Sequence, residues 1–421
     1  MLSKGNCIVG QSGGPTVAIN ASLSGVLQGV LESEAYNSVY GMVNGIEGLL
    51  QGKYLNLSEI FATPDSLDTL SVTPSMYLGS CRFKLPHFEV APEVYEILFK
   101  FFEVHNITTV FYIGGNDSMD TVMKLSSYAK VHNLPIRIIG IPKTIDNDLP
   151  MTDHTPGFGS AAKFVATTLL EIAHDTYIYN IPSVTIVEIM GRNAGWLTAS
   201  AALARTSYSH APDLIYLPEV AFSLEQFVED IKALQQERKN IIVAVSEGIK
   251  DADGNYISAT GTTVDAFGHM QLCGAGKALE NYLKEHLGCK VRSVELNVTQ
   301  RCAAHVGSKT DIDESIAIGK AAVEAALEGK TAEMLCYNRV QNEPYKMEIV
   351  SHPIENIANK ERVIPRTWIN DSGNDVTEEM LTYLRPLIQG ETLVGYTNGL
   401  PVYCDITHLY NKHFFDNQSN R

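Results

Sequence analysis

The chain has 421 residues, 45% of them hydrophobic, and a formal net charge of −16 from 32 basic and 48 acidic side chains. That length suits one large α/β unit or two lobes, each with a sizeable core, and two lobes are expected. The acidic balance excludes a nucleic-acid surface, which needs a clustered positive field, so a phosphate-bearing ligand must meet locally placed Arg and Lys.

In chain order, strand-like apolar runs alternate with segments of helical period. The first strand is "NCIVG" at 6–10, followed by a helix from Thr16, "TVAINASLSGVLQGVLE". Strands follow at 109–115 ("TVFYIGG"), 136–142 ("IRIIGIP"), 183–190 ("SVTIVEIM") and 240–248 ("NIIVAVSEG"), with a helix "SLEQFVEDIKALQQER" from Ser223 between the last two. A further helix, "DIDESIAIGKAAVEAALEG", is predicted with Asp311 at its start and Gly329 at its end. From about Tyr345 the glycine-loop pattern stops, and "DVTEEMLTYLRPLIQG" reads as one more helix. This order predicts parallel sheet covered by helices. The apolar runs are too short to span a bilayer, which takes roughly 20 helical residues. Seven cysteines (Cys7, Cys81, Cys273, Cys289, Cys302, Cys336 and Cys404) show no CxxC spacing, and the N-terminus carries no export pattern, so a reduced cytoplasm is expected.

The loops at the strand ends carry the chemistry. In open α/β sheets, ligands gather beyond the carboxyl ends of the strands, so these loops should meet in space. "GQSGGPTVAIN" sets Gly13 and Gly14 between strand and helix, where bare N–H groups favour an anion, and "LGSCR" offers Arg82. "FYIGGNDSMDTVM" brings a second glycine pair, yet follows it with Asp117, a carboxylate where an anion would sit. "PKTIDNDLP" packs Lys143, Thr144, Asp146 and Asp148 into six residues stiffened by Pro142 and Pro150. "VEIMGRNAGW" ends a strand with Met190, Gly191 and Arg192, "VSEG" ends another with Glu247, and "KVRSVELNVTQR" supplies Arg292 and Arg301. Arginine beside glycine can grip a phosphate or carboxylate bidentately; taken singly, each of these charges is better explained by structural salt bridging. Twelve histidines without H-E-x-x-H spacing argue against zinc, and G-x-S-x-G is absent. Oxygen ligands beside phosphate point to Mg²⁺.

The ordered set SGG, GS-x-R, GG-x-x-S, TIDND, MGR, SEG and QR, spread from Gly13 to Arg301, resembles the phosphofructokinase family over about three quarters of the chain. The resemblance implies an α/β fold of two Rossmann-like three-layer lobes with the active site in the cleft, plus a C-terminal helical extension. It implies a donor and Mg²⁺ lobe at 1–158, completed by about 303–345, a sugar-phosphate lobe at 159–302, and an extension at 346–421. Members that use ATP resemble GGDGS and PGTIDND in the two central loops. Pyrophosphate users place an aspartate and a lysine at the positions held here by Asp117 and Lys143.

The expected reaction is reversible phosphoryl transfer from pyrophosphate to the 1-hydroxyl of fructose 6-phosphate. Two unit charges about 4 Å apart at an effective dielectric near 20 repel by roughly 4 kcal/mol, so Asp117 would disfavour the α-phosphate of a nucleotide. Pyrophosphate has none, and Lys143 would neutralise the transferring group. Gly13, Arg82 and Ser118 match donor-phosphate positions; Asp146 matches the base, flanked by Thr144 and Asp148. Met190, Gly191, Arg192, Glu247, Arg292 and Arg301 match the sugar-phosphate site. An ATP-dependent kinase of the same fold and an idle sugar-phosphate sensor are the alternatives.

Three positions depart from the pattern. Asn116 stands where the family carries a Mg²⁺-associated aspartate, leaving the metal to water, to Asp117 or to pyrophosphate itself. Val298 replaces a His or Tyr three residues before Arg301, and Ser183 an arginine seven residues before Met190. The family shares arginines across a subunit interface, so a homodimer or homotetramer is expected.

Overall fold

The computed structural model describes residues 4–81, 83–257 and 274–415. Arg82 and Cys273 therefore lie outside the described residues. Two sheets form. The first begins with β1 (Asn6–Gln11), β2 (Val39–Met42), β3 (Tyr54–Asn56), β4 (Ile107–Gly114) and β5 (Arg137–Pro142). The second, all parallel, takes β6 (Ser183–Ile189), β7 (Leu214–Tyr216), β8 (Asn240–Ser246) and β9 (Lys290–Glu295) in the order β7-β8-β6-β9. The chain then returns to the first sheet with β10 (Glu333–Gln341) and β11 (Lys346–Pro353), giving the order β11-β10-β5-β4-β1-β2-β3. Its interior pairs are parallel, and antiparallel β3 and β11 form its edges.

Both sheets are covered on two faces, which is why their strands read as continuous apolar runs rather than alternating ones. On the first sheet Val9, Phe111 and Ile139 face one core while Ile8, Val110 and Ile138 face the other. On the second, Val187 and Ile242 face one core, and Ile186 and Val243 the opposite one. The five strands read from the sequence are all present.

The helices follow the prediction with shifted ends. Regular helix begins at Ile19, and Thr16 caps it by accepting the Ile19 N–H at 2.9 Å. Helix Leu224–Gln235 is capped by Ser223 as expected. Helix Lys309–Leu327 is capped by Ser308, not by Asp311. The buried Asp311 carboxylate instead accepts the Gly157 and Ser160 N–H groups, both at 2.9 Å, at the start of helix Phe158–Tyr177. Helices Ile19–Ser33 and Lys309–Leu327 pack backbone to backbone through Gly25 and Gly319. A Cβ on Gly25 would stand 2.1 Å from the Ile316 carbonyl, and one on Gly319 2.3 Å from that of Ser22.

The C-terminal extension is less helical than expected. It opens with β11, and its predicted helix spans only Glu378–Leu384 before Pro386 tightens the next turn into 3₁₀ geometry. Among the described residues no helix is long and apolar enough to cross a membrane.

Candidate active site

The loops that follow β1, β4, β5, β6 and β8 converge on one cleft of about 910 Å³ between the two sheets. Its walls include Gly13, Asn116, Asp117, Ser118, Lys143, Thr144, Asp146, Asp148, Arg192, Glu247 and Arg301. Residues separated by almost the whole motif-bearing part of the chain thus share one space, because parallel strands place all their carboxyl ends on the same side.

The donor side is assembled first by backbone. Gly13 has φ of +84°, a left-handed turn natural to glycine. The Ser12 and Ser118 hydroxyls hydrogen-bond at 2.5 Å and tie this turn to the head of helix Asn116–Val131. Asp117 sits in that helix's first turn, where the dipole favours its negative charge. Lys143 is buried at 2% exposure and donates to the Gly14 carbonyl at 2.6 Å. Burial pulls the Lys143 ammonium down to about 8, against the opposing pull of Asp146 and Asp148.

Opposite stand the carboxylates. Thr144 Oγ1 accepts the Asp146 N–H at 3.1 Å, which folds the loop back on itself. Withdrawal from water raises Asp146, while Arg192, Lys143 and Arg301 act against that rise. Asp148 is raised to about 7 by burial and then by the neighbouring charge of Asp146. Glu247 rises likewise to about 7, from burial and Asp146, while its Oε1 accepts the Gly191 N–H at 3.3 Å.

Two guanidiniums complete the walls. The Nε atoms of Arg192 and Arg301 are buried without a hydrogen-bond partner, and neither side chain forms an ion pair among the described residues. A buried guanidinium N–H without a hydrogen-bond partner is costly unless a ligand supplies one, and Arg192 and Arg301 face Asp146 electrostatically without closing a salt bridge to it.

Other expected residues are placed differently. Met190 is not among the residues that line the cleft; its N–H donates to Gln300 at 3.1 Å. Arg292, on β9, is not brought to the cleft: it lies 3.4 Å from Asp175 and donates to Thr185 at 3.3 Å. Val298 is nearly half exposed and Ser183 is buried at the far end of β6. Asn116 has both ends of its amide committed to backbone. Its oxygen accepts the Asn359 N–H at 2.6 Å and its nitrogen donates to the Lys360 carbonyl at 2.7 Å. The Asn116 side chain thus ties a C-terminal segment to the head of helix Asn116–Val131. Among the described residues no three His, Cys, Asp or Glu side chains form a metal cage.

The cleft also contains residues that the motifs did not reveal: Lys84, Asn193, Asn359 and Glu361. Lys84 follows "GSCR" by two positions and was within reach of that motif. Asn359 and Glu361 arrive from beyond the last motif and carry no local signal.

An α/β cleft lined at parallel strand ends by glycine turns, a buried lysine, paired aspartates and unpartnered arginines defines a phosphoryl-transfer site. The family model described as Phosphofructokinase matches residues 6–326, and the chain belongs to the phosphofructokinase family. The chain is 38% identical to the pyrophosphate–fructose 6-phosphate 1-phosphotransferase of Halomonas elongata, covering 95% of this chain and 96% of that one. It is 39% identical to the protein of the same name from Xanthomonas campestris pv. campestris, over 97% of each. A crystal structure of the pyrophosphate-dependent phosphofructokinase from Marinobacter aquaeolei superposes with a TM-score of 0.84 at 37% identity, covering 95% of both chains.

Proposed function

We propose that the chain transfers a phosphoryl group from pyrophosphate to the 1-hydroxyl of fructose 6-phosphate, giving fructose 1,6-bisphosphate and phosphate, reversibly. The observation that carries this reading is the joint presence of Asp117 and buried Lys143 in one cleft with Asp146. The names of the full-length relatives support it.

Asp146 takes the proton of the sugar hydroxyl as the new P–O bond forms and the bridging P–O bond of pyrophosphate breaks. A carboxylate acts late in this step, once the attacking oxygen has become acidic. Lys143, the Gly13 turn and Ser118 hold the donor, and Arg82 matches a donor-phosphate position in the sequence. Arg192 and Arg301 meet the 6-phosphate and the equatorial oxygens of the transferring group, where positioning and electrostatic stabilisation supply most of the catalysis. Glu247 accepts sugar hydroxyls, and Met190 and Gly191 shape the sugar pocket. Asp117 excludes the α-phosphate of a nucleotide.

Asp117, at the cleft wall, and the oxygens of pyrophosphate itself would hold Mg²⁺, which keeps several waters and takes ligands from phosphate. Bound there, the ion neutralises charge on pyrophosphate. Arg292 serves the sugar phosphate of a neighbouring subunit in a homodimer or homotetramer. The free cysteines among the described residues suit a reducing cytoplasm.

A coupled assay of fructose 1,6-bisphosphate formation with pyrophosphate and with ATP tests the reading. Turnover with pyrophosphate far above that with ATP is expected, and a preference for ATP would overturn the roles of Asp117 and Lys143.

A further inference from the structure

Residues Asn359–Arg362 lie beyond the region matched by the family model, yet they touch three of the loops that build the cleft. Asn116 grips the backbone of Asn359 and Lys360, as described above. Asn193, next to Arg192, donates to the Glu361 carboxylate at 3.3 Å. Arg362 then locks the TIDND loop. Its N–H donates to the Asp148 carbonyl at 2.7 Å, and its guanidinium donates to the carbonyls of Asn147 at 2.9 Å, Thr152 at 2.9 Å and Asp153 at 2.6 Å.

The guanidinium is itself fixed. It lies 4.5 Å from the ring centroid of Trp196, whose indole N–H donates to the Arg362 carbonyl at 3.2 Å. Four bonds from one residue thus fix the chain that follows the base, at residues 147, 148, 152 and 153, on a turn where Asn147 has φ of +55°. A planar, always-charged fork suits three fixed carbonyls better than an ammonium does.

We propose that Asn359–Arg362 is a strap that closes over the site, and that Arg362 is a positioning residue that holds Asp146 at the geometry for transfer. The strap also explains Asn116: the amide that replaces a metal-associated carboxylate is the strap's tether. This assignment rests on Asp146 being the base.

Arg362→Ala and Arg362→Lys in the full chain test it by two readouts. With the donor that the parent protein uses, kcat falls by about a hundredfold in Arg362→Ala, the scale of a roughly 1 Å misplacement, while KM for fructose 6-phosphate changes little. Arg362→Lys recovers part of the loss, as does added guanidinium ion in the alanine variant. Independently of turnover, hydrogen exchange at 144–149 accelerates in both variants while β6 and β8 stay protected. If Arg362→Ala does not fold, the lysine variant carries both readouts. Unchanged exchange at 144–149 overturns the strap, as does a loss seen in KM with kcat retained. A parent protein inactive with both donors refutes the proposed reaction, and the exchange experiment still decides the strap.

Discussion

The Lys143 ammonium donates to the Gly14 carbonyl at 2.6 Å, so the first glycine turn and the TIDND loop are joined by a buried charge before any ligand arrives. That cation is held for an anion, and its single hydrogen bond among the described residues leaves further N–H groups to point into the cleft. Replacing Asp117 and Lys143 together by glycine is expected to lower pyrophosphate turnover by about two orders of magnitude, the scale of losing one organised donor to a transition-state charge. Relief of the Asp117 charge should admit ATP weakly. Steady-state kinetics with both donors checks this, and unchanged pyrophosphate kinetics would refute the donor assignment.

Asp146→Asn keeps the shape of the loop and removes the base. Turnover should drop by about 10²- to 10⁴-fold, the range of a positioned general base. Fructose 6-phosphate binding, measured by calorimetry, should persist because Arg192 and Arg301 are intact. Normal turnover in this variant would exclude Asp146 from the chemistry.

The titrating groups predict a narrow pH optimum for kcat/KM. Below about 7, Asp148 and Glu247 take up protons and the activity falls on the acid side. Above about 8, Lys143 loses its charge and the activity falls on the alkaline side. Lys143→Arg keeps its charge at every accessible pH, so the alkaline limb should move out of range even if the rate drops. A limb that stays in place would assign it to another group.

His154 predicts a stability effect. It is 2% exposed, and its two ring nitrogens lie 2.9 Å from Asp153 and 2.7 Å from Glu314. Burial alone would lower its pKa, but the two carboxylates prevail and raise it to about 9. A folded pKa above the unfolded value gives stability that is complete below about 6.5 and lost as pH rises through about 9. The contribution is on the order of 3 kcal/mol at most. Urea unfolding across that window should show a steeper loss in the parent chain than in His154→Gln, which lacks this contribution.

Strands β1, β4, β5, β6 and β8 were legible in the sequence because both faces of each are buried, so each reads as an apolar run ended by glycine or a polar loop. Lys143, Asp146 and Arg192 were legible as local clusters at those ends. Asn116 was not, since its amide answers to backbone more than two hundred residues away. Glu361 and Arg362 were hidden for the same reason. Asp311 misled because an aspartate near a helix start is the usual cap, whereas here it serves the start of a neighbouring helix. Arg292 belongs to a motif, but its position on β9 turns it away from the cleft.

The packing of Gly25 against Gly319 carries a consequence for synthesis. Helix Ile19–Ser33 leaves the ribosome early, but the helix that covers it is among the last to be made. At about 5–20 residues per second, its apolar face waits roughly 15 to 60 s for its partner. The second sheet, contiguous from residue 183 to 295, can assemble during that wait. A nascent chain stalled before residue 309 would therefore display a first helix without its glycine-packed partner and a second sheet with one face still open, the state in which a chaperone has most to hold.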